Sequence, residues 1–206
     1  MASAGTVLAS DQSLLLPVLP LRDMSLFPEA SLTLNVMRPA SIRALDVAQR
    51  TGRRLLALTQ KDANVEGGAM HAIGTLADLT DDETQPDGVR RVELDGRGRA
   101  RVITLMGADT LVAEVELLTE GDPGDEWGAA VEALARYMHA HADLRAFLDK
   151  QRRSKESMGW VNLACQHLPI TASARQKLLD SDAASRCLKI GRGLDALLRK
   201  EQEQAS

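Results

Sequence analysis

Apolar and polar positions in the first half of the chain follow patterns that are typical of strands. The run at 14–21 is almost entirely apolar and is interrupted by Pro17 and Pro20. Proline breaks a helix interior and is disfavoured in a central strand, so this run predicts an extended strand at a sheet edge. The segment 31–37 alternates apolar and polar residues and predicts a half-buried strand.

One helix and several further strands are predicted before residue 119. Pro39 suits the first turn of a helix that runs to about Arg50, and Gly52 is placed to end it. The dipeptide Asp95-Gly96 is a turn signal between two strand-like runs, so a hairpin is predicted around it. The strands predicted in this region cover residues 53–60, 71–79, 89–94, 97–105 and 110–118.

The pattern becomes helical after residues 119–125, a segment that contains Gly, Pro and Asp but no core-forming residue. Such a composition is typical of a linker. It divides the chain into a flexible tail at 1–13, a β-rich domain at 14–118 and a helical domain at 126–203. Apolar residues at helical spacing predict a long helix at 126–150, then helices at 158–168, at 172–179 after a Thr171 cap, and after an Asp182 cap.

This order of elements predicts an α+β protein. Strands follow one another at short intervals, with turns and not helices between most of them. That arrangement favours a mixed or antiparallel β-barrel over a doubly wound sheet. The barrel is expected to carry one early helix and to be followed by a C-terminal α-helical bundle.

Composition and charge narrow the class of protein. The 206 residues are 44% hydrophobic and only 2% aromatic, so the core is expected to consist of Leu, Val, Ala, Ile and Met. A formal net charge of −4 argues against nucleic acid as the default partner. Two distant cysteines, no basic leader and no long apolar run predict a cytoplasmic protein without a disulfide framework.

No motif for catalysis or cofactor binding is present in the sequence. The chain lacks a G-x-x-x-x-G-K-[ST] phosphate loop, a G-x-S-x-G elbow and an H-E-x-x-H motif. His139 and His141 lie two positions apart on a predicted helix and diverge, as do Cys165 and His167. We therefore expect no enzyme activity, no metal and no cofactor in this chain.

Three arginines have two interpretations. Arg97, Arg99 and Arg101 alternate along a predicted strand and share a face, which is one way to form a basic patch for RNA. The alternative is pairing with Glu93 and Asp95 across the predicted hairpin. Pairing is favoured, because no aromatic residue is interleaved with the arginines to stack on a base.

Several short motifs, taken in order, resemble the amino-terminal domain of Lon proteases. The resemblance extends from about Leu14 to Glu203 and rests on the ordered set more than on any single motif. The motifs are LPVLPLRDMSLFP at 16–28, SIRAL at 41–45, QKD at 60–62, IGTLA at 73–77, RARV at 99–102, LPI at 168–170 and RQKLL at 175–179.

The resemblance implies a PUA-like β-barrel followed by a helical bundle. In that family this region recognises unfolded or damaged substrates and helps the hexamer to assemble. The family's ATPase and Ser–Lys peptidase modules follow this region. The chain as given is therefore expected neither to hydrolyse ATP nor to cleave peptides.

Four functions are open at this point. The first is a non-catalytic module that binds unfolded or exposed apolar segments of client proteins. The second is an adaptor or regulator of a full-length Lon protease, and the third is an excised amino-terminal piece of one. RNA binding ranks last, self-association is an additional option, and no membrane partner is expected. The residues predicted to contact clients are Leu26, Phe27, Met37, Met158 and Trp160.

Overall fold

A computed structural model describes residues 13–65, 67–151 and 158–205. The tail predicted at 1–13 lies outside these ranges, apart from Ser13. The strands are β1 (Leu14–Leu21), β2 (Ser31–Val36), β3 (Arg54–Thr59), β4 (Ile73–Thr84), β5 (Arg90–Met106) and β6 (Val112–Leu117). The helices are α1 (Pro39–Arg50), α2 (Glu126–Ala140), α3 (Ala142–Gln151), α4 (Met158–His167), α5 (Ala172–Leu179) and α6 (Ala183–Ala205).

The strands form one mixed sheet in the order β2-β5-β4-β3-β1-β6. β1 and β3 are parallel, and the other pairings among the described strands are antiparallel. β4 pairs with one side of β5. On the other side of β5, β2 pairs with residues 90–95 and β6 pairs with residues 100–106. The predicted α+β class is confirmed, as a mixed six-stranded sheet with one early helix and further helices after it.

The prediction that the first strand lies at a sheet edge was wrong. β6 pairs with residues 14–17 of β1, and β3 pairs with residues 18–21 on the opposite side. Each half of β1 therefore has one strand partner, and the two partners lie on different sides. The Val18 N–H points to the β6 side, where it donates to the Leu111 carbonyl oxygen at 2.8 Å.

This change of side explains how β1 accommodates two prolines. The Leu21 carbonyl points to the β3 side, where it accepts a hydrogen bond from the Gln60 N–H at 2.9 Å. Backbone groups alternate sides along a strand, so the Pro17 nitrogen faces the β3 side and the Pro20 nitrogen faces the β6 side. Neither proline faces a paired strand at its own position, so neither removes a ladder hydrogen bond.

The hairpin predicted around Asp95-Gly96 was also wrong. This dipeptide lies inside β5, a continuous strand of 17 residues. Glycine is needed here because a Cβ at Gly96 would lie 2.2 Å from the Phe27 carbonyl oxygen. Asp95 accepts a hydrogen bond from the Ser31 hydroxyl at 2.6 Å, so its side chain serves β2 and not a turn. The hairpin of this region joins β4 to β5, with Gly88 at φ +83° in its turn.

The long helix predicted at 126–150 is two helices. His141 separates α2 from α3 and has a non-helical backbone, with φ −124° and ψ 78°. Its ring stacks on Tyr137 with 4.0 Å between the ring centroids, and its Nδ1 lies 2.8 Å from the Tyr137 carbonyl oxygen. A side chain that bonds to the backbone of the preceding turn stabilises the helix end at this position.

Two predicted helix caps are confirmed. The Thr171 hydroxyl accepts a hydrogen bond from the Ala174 N–H at 3.1 Å at the start of α5. The Asp182 carboxylate accepts one from the Ser185 N–H at 2.7 Å at the start of α6. Each cap satisfies one backbone donor that the first helical turn leaves without a partner.

Buried contacts attach the helices to the sheet. Phe27 and Ala30, in the connection from β1 to β2, belong to the same apolar cluster as the buried residues of α2, α4, α5 and α6. The Gln166 side chain of α4 accepts a hydrogen bond from the Phe27 N–H at 3.0 Å and donates one to the Ser31 carbonyl at 2.8 Å. The bundle thus holds the β1–β2 connection and the start of β2.

A buried arginine lies where the segment after β6 meets the bundle. Arg186 of α6 is fully buried and donates to the Asn162 side-chain oxygen at 2.6 Å and to the Ser181 carbonyl at 2.9 Å. Its guanidinium lies 3.2 Å from Glu120, which also pairs with Arg99 of β5 at 2.5 Å. One carboxylate therefore links the sheet to the last helix.

Candidate functional site

The structure separates the five predicted client-contact residues into core and surface positions. Leu26, Phe27 and Trp160 are 1%, 0% and 4% exposed. These three pack in the core and present almost no surface in this conformation, and their contact with a client stays a prediction. Met158 is partly buried beside the bundle core and lines a hollow of about 270 Å³. Met37 is 69% exposed, and its contact with a client stays a prediction.

Met37 lies at a groove of about 200 Å³ between β1 and β2, which we call the β1–β2 groove. Both strands contribute walls, and the segments that follow them close its end. Its lining contains two arginines and no carboxylate: Leu19, Pro20, Leu21, Arg22, Met24, Leu34, Asn35, Val36, Met37, Arg38 and Ser41.

A larger and more apolar groove, of about 360 Å³, lies on the bundle between α5, α6 and the α4–α5 connection; we call it the α5–α6 groove. Pro169 ends α4 and sets the connection that forms one wall. The buried side chains of Leu178, Ile190 and Leu194 form its floor. Its remaining lining residues are Leu168, Ile170, Ala174, Lys177, Lys189, Gly193 and Leu197.

Gly193 leaves the α5–α6 groove open on the α6 side. A Cβ added at Gly193 would meet no atom within 4 Å. Glycine in a helix interior lowers helix stability by about 1 kcal/mol relative to alanine, so a helical glycine often has a packing reason. Gly191 lies against α2, where an added Cβ would be in ordinary van der Waals contact with the Ala130 Cα at 3.8 Å. The two glycines of α6 were the sequence signal for this region, and the sequence interpretation missed it.

The arginines considered for RNA binding are paired with carboxylates. The predicted partners Glu93 and Asp95 were wrong, because they lie on the same strand as the arginines once the hairpin is replaced by continuous β5. The three arginines instead pair with carboxylates outside β5, which neutralises the charge that RNA binding would need. The pairs are Arg97 with Asp78 at 2.7 Å, Arg99 with Glu120 at 2.5 Å, and Arg101 with Glu116 at 3.2 Å.

The two cysteines are buried, and His71 and His167 are half-buried. Burial raises the pKa of the Cys165 thiol to about 12 and also raises the pKa of Cys187. Burial lowers the pKa of His71 and of His167. The described residues contain no cluster of three or more His, Cys, Asp or Glu side chains able to hold a metal ion. None of the helices in the described ranges combines the length and apolar character needed to cross a membrane.

Residues 15–194 match the family model of the ATP-dependent protease La (LON) substrate-binding domain. The chain belongs to this Lon family. It is 33% identical over 196 residues to Lon protease 1 of Thermus thermophilus, a match that covers 89% of this chain and 24% of that protein. It is 36% identical over 128 residues to the Lon protease of Xanthomonas oryzae, a match that covers 59% of this chain and 14% of that protein. The chain thus spans about a quarter or less of the length of these Lon relatives.

Two solved structures of Lon N-terminal domains share the fold. The N-terminal domain of the Mycobacterium avium complex Lon protease matches with a TM-score of 0.72 at 16% identity, over 89% of this chain and 98% of that one. The Lon N-terminal domain protein from Xanthomonas campestris matches with a TM-score of 0.62 at 23% identity, over 85% of this chain and 95% of that one. The Lon resemblance predicted from the motifs is therefore confirmed.

Proposed function

We propose that this chain is a Lon-type substrate-binding module that holds exposed apolar segments of client proteins in the α5–α6 groove. The observation that carries this proposal is an apolar surface groove of about 360 Å³ in a chain that belongs to the Lon substrate-binding domain family. A groove of this kind suits aliphatic side chains that a folded protein buries and an unfolded one exposes.

The expected affinity of a single contact is modest. Burying one Leu or Ile side chain contributes about 1.5–3 kcal/mol. The floor of Leu178, Ile190 and Leu194 gives such a side chain apolar neighbours. Binding energy of this size favours chains that offer several apolar segments and disfavours folded proteins that offer few.

A matched pair of glycine substitutions tests the groove. Gly193→Leu places a side chain at the open side of the α5–α6 groove, while Gly128→Leu places the same side chain on exposed α2. Neither added Cβ meets an atom within 4 Å, so both variants are expected to fold. Binding of a labelled, reduced and carboxymethylated client is measured by fluorescence anisotropy, and folding by circular dichroism.

We expect Gly193→Leu to weaken client binding about tenfold, equivalent to one lost apolar anchor, and Gly128→Leu to leave it unchanged. Equal affinities for the two folded variants would remove the α5–α6 groove from the proposal. A wild-type chain that binds no unfolded client at micromolar concentration contradicts the client-binding function itself.

Engagement of a full-length Lon protease, as adaptor or competitor, is a second proposal, and family membership is the observation that favours it. Adding the chain to a degradation assay with that protease is expected to change the rate of client degradation in a saturable manner. A rate that stays constant up to high excess of the chain argues against both roles.

A further inference from the structure

We propose that the free edge of β2 binds an extended segment of a client as an added strand, with side chains of that segment in the β1–β2 groove. This inference rests on the proposed client-binding function and names a second site and a second mode of binding for it. The segment is apolar, extended and carries an acidic residue.

The first step is the direction of the backbone groups of β2. The Ala30 carbonyl points towards β5, where it accepts a backbone N–H at 2.9 Å. The next carbonyl, that of Ser31, points away from β5, because it accepts a hydrogen bond from Gln166 at 2.8 Å. Alternation along an antiparallel strand then turns the N–H and C=O groups of Thr33 and Asn35 away from β5 as well.

The second step is that this side of β2 has no strand partner among the described residues. β2 pairs with β5 alone and is the terminal strand of the sheet order. Thr33 and Asn35 together present two donors and two acceptors at the spacing of a strand. A row of this kind is a template for pairing with another extended chain.

The third step is that β1, across the groove, does not supply this pairing. Residues 18–21 of β1 pair with β3, and the groove lies on their other side. Among the β1 residues that line the groove, Pro20 is the one whose backbone faces that side, and it has no N–H to donate. The β1 wall therefore presents the half-buried Pro20, with Leu19 and Leu21 buried beside it, and leaves the backbone hydrogen bonds to β2.

Charge and side-chain adaptability define the occupant. Arg22 and Arg38 line the groove and no carboxylate does, although the chain as a whole carries a net charge of −4. Arg22, whose Nε donates to the neutral Gln60 side chain at 3.0 Å, favours an acidic residue in the bound segment. Met24 and Met37 are 36% and 69% exposed, and methionine side chains adapt to apolar partners of different shape.

The test uses a fluorescent eight-residue peptide of alternating valine and threonine with one central glutamate. Asn35→Pro removes one N–H from the free edge of β2 and leaves the ladder to β5 intact. Asn35→Ala is the matched control, since it removes the side chain and keeps the N–H. We expect binding by the proline variant to be about tenfold weaker than binding by the alanine variant, the scale of one hydrogen bond.

The peptide supplies an independent arm that does not depend on folding of the proline variant. Two peptides are made, one N-methylated at its odd-numbered residues and one at its even-numbered residues. In one of them the methylated nitrogens face β2, and that peptide is expected not to bind. In the other they face away from β2, and binding is expected to be unchanged. Replacing the glutamate by lysine is expected to weaken binding, and added salt to reduce the difference. Equal binding of the two methylated series overturns strand addition. A dimer of this chain that Asn35→Pro dissolves overturns the client segment as the occupant of this edge.

The outcome is separable from that of the proposed function. The Gly193→Leu variant is expected to bind this peptide as the wild type does, because the α5–α6 groove and the β1–β2 groove share no lining residue. Loss of peptide binding in Gly193→Leu contradicts a separate site on β2. The chain could also bind the peptide but not unfolded clients. That result would support the strand-addition site and contradict the general client-binding function.

Discussion

Replacing Arg186 by methionine tests whether the buried ion cluster holds the bundle to the sheet. The Arg186 side chain is fully buried and donates to the carbonyls of Leu178 and Ser181 at 3.0 and 2.9 Å and to the Asn162 side chain at 2.6 Å. Methionine retains much of the volume but none of the donors. Three oxygens and the Glu120 carboxylate then lose a partner.

The magnitude follows from these contacts. A buried acceptor left without a hydrogen bond costs about 1–3 kcal/mol. The Leu178 carbonyl keeps the Ser181 N–H at 3.2 Å, so the Ser181 carbonyl and the Asn162 side-chain oxygen set a range of about 2–6 kcal/mol. Breaking a buried ion pair by removing one partner costs about 3–5 kcal/mol. Glu120 keeps its contact with Arg99 and is partly exposed, which reduces the cost of losing the ion pair, so we expect a total loss of about 3–5 kcal/mol. For a chain of this size that corresponds to a fall in Tm of roughly 6–20 °C.

Thermal and urea unfolding followed by far-ultraviolet circular dichroism measure this loss. Arg192→Met is the matched control, because Arg192 lies on the same helix with an exposed side chain. Its free energy of unfolding is expected to change by no more than about 0.5 kcal/mol. Adding Glu120→Gln to Arg186→Met is expected to cost less than the sum of the two single changes. A loss below about 1 kcal/mol for Arg186→Met refutes the assigned role.

Three further predictions concern single side chains. Gly96→Ala is expected to lower the free energy of unfolding by about 1–3 kcal/mol or more, because its Cβ meets the Phe27 carbonyl. Gly98→Ala, whose Cβ meets no atom within 4 Å, is the control. Equal urea midpoints for the two variants contradict the contact. Cys165, with its pKa raised to about 12 by burial, is expected to react with a disulfide reagent only after unfolding, as followed by mass spectrometry; rapid labelling of the native chain argues against burial. Burial lowers the pKa of His167 below 6.5, so the unfolded state takes up a proton first and stability is lost as the pH falls through about 6.5. His167→Gln is expected to make Tm depend less on pH in this range. An unchanged dependence of Tm on pH contradicts this prediction.

Elements specified by local chemistry could be predicted from the sequence. The helix predicted to run from Pro39 to about Arg50 has those bounds in the structure, because proline at the first turn and Gly52 beyond the end act within a few residues. Thr171 caps α5 for the same reason. Such signals need no knowledge of the rest of the chain.

The Asp95-Gly96 dipeptide shows where local chemistry is insufficient. Glycine is equally suited to a hairpin turn and to a strand position where another backbone approaches closely. The deciding group is the Phe27 carbonyl, which lies 69 positions earlier in the chain than Gly96 and so gives no local signal. A turn was predicted because the dipeptide is the strongest short-range indication of one.

The candidate surface was partly unpredictable for a similar reason. Leu26, Phe27 and Met37 are all apolar residues close to the first two strands, and hydrophobicity alone ranks them together. The bundle packs over Phe27, through α4 and α6, and leaves Met37 uncovered. Which apolar residue is exposed therefore depends on the docking of helices that come more than 100 positions later.

Two small grooves suit a module that distinguishes unfolded from folded proteins better than one large apolar surface does. A large exposed apolar patch promotes aggregation of the protein that carries it. The α5–α6 groove and the β1–β2 groove, at about 360 and 200 Å³, each admit few side chains, so each contact alone is weak. A client that engages both gains from the high effective concentration of its second segment, whereas a folded protein with one exposed segment does not. On the proposed scheme, preference for unfolded chains arises from the number of segments presented and requires no single tight site.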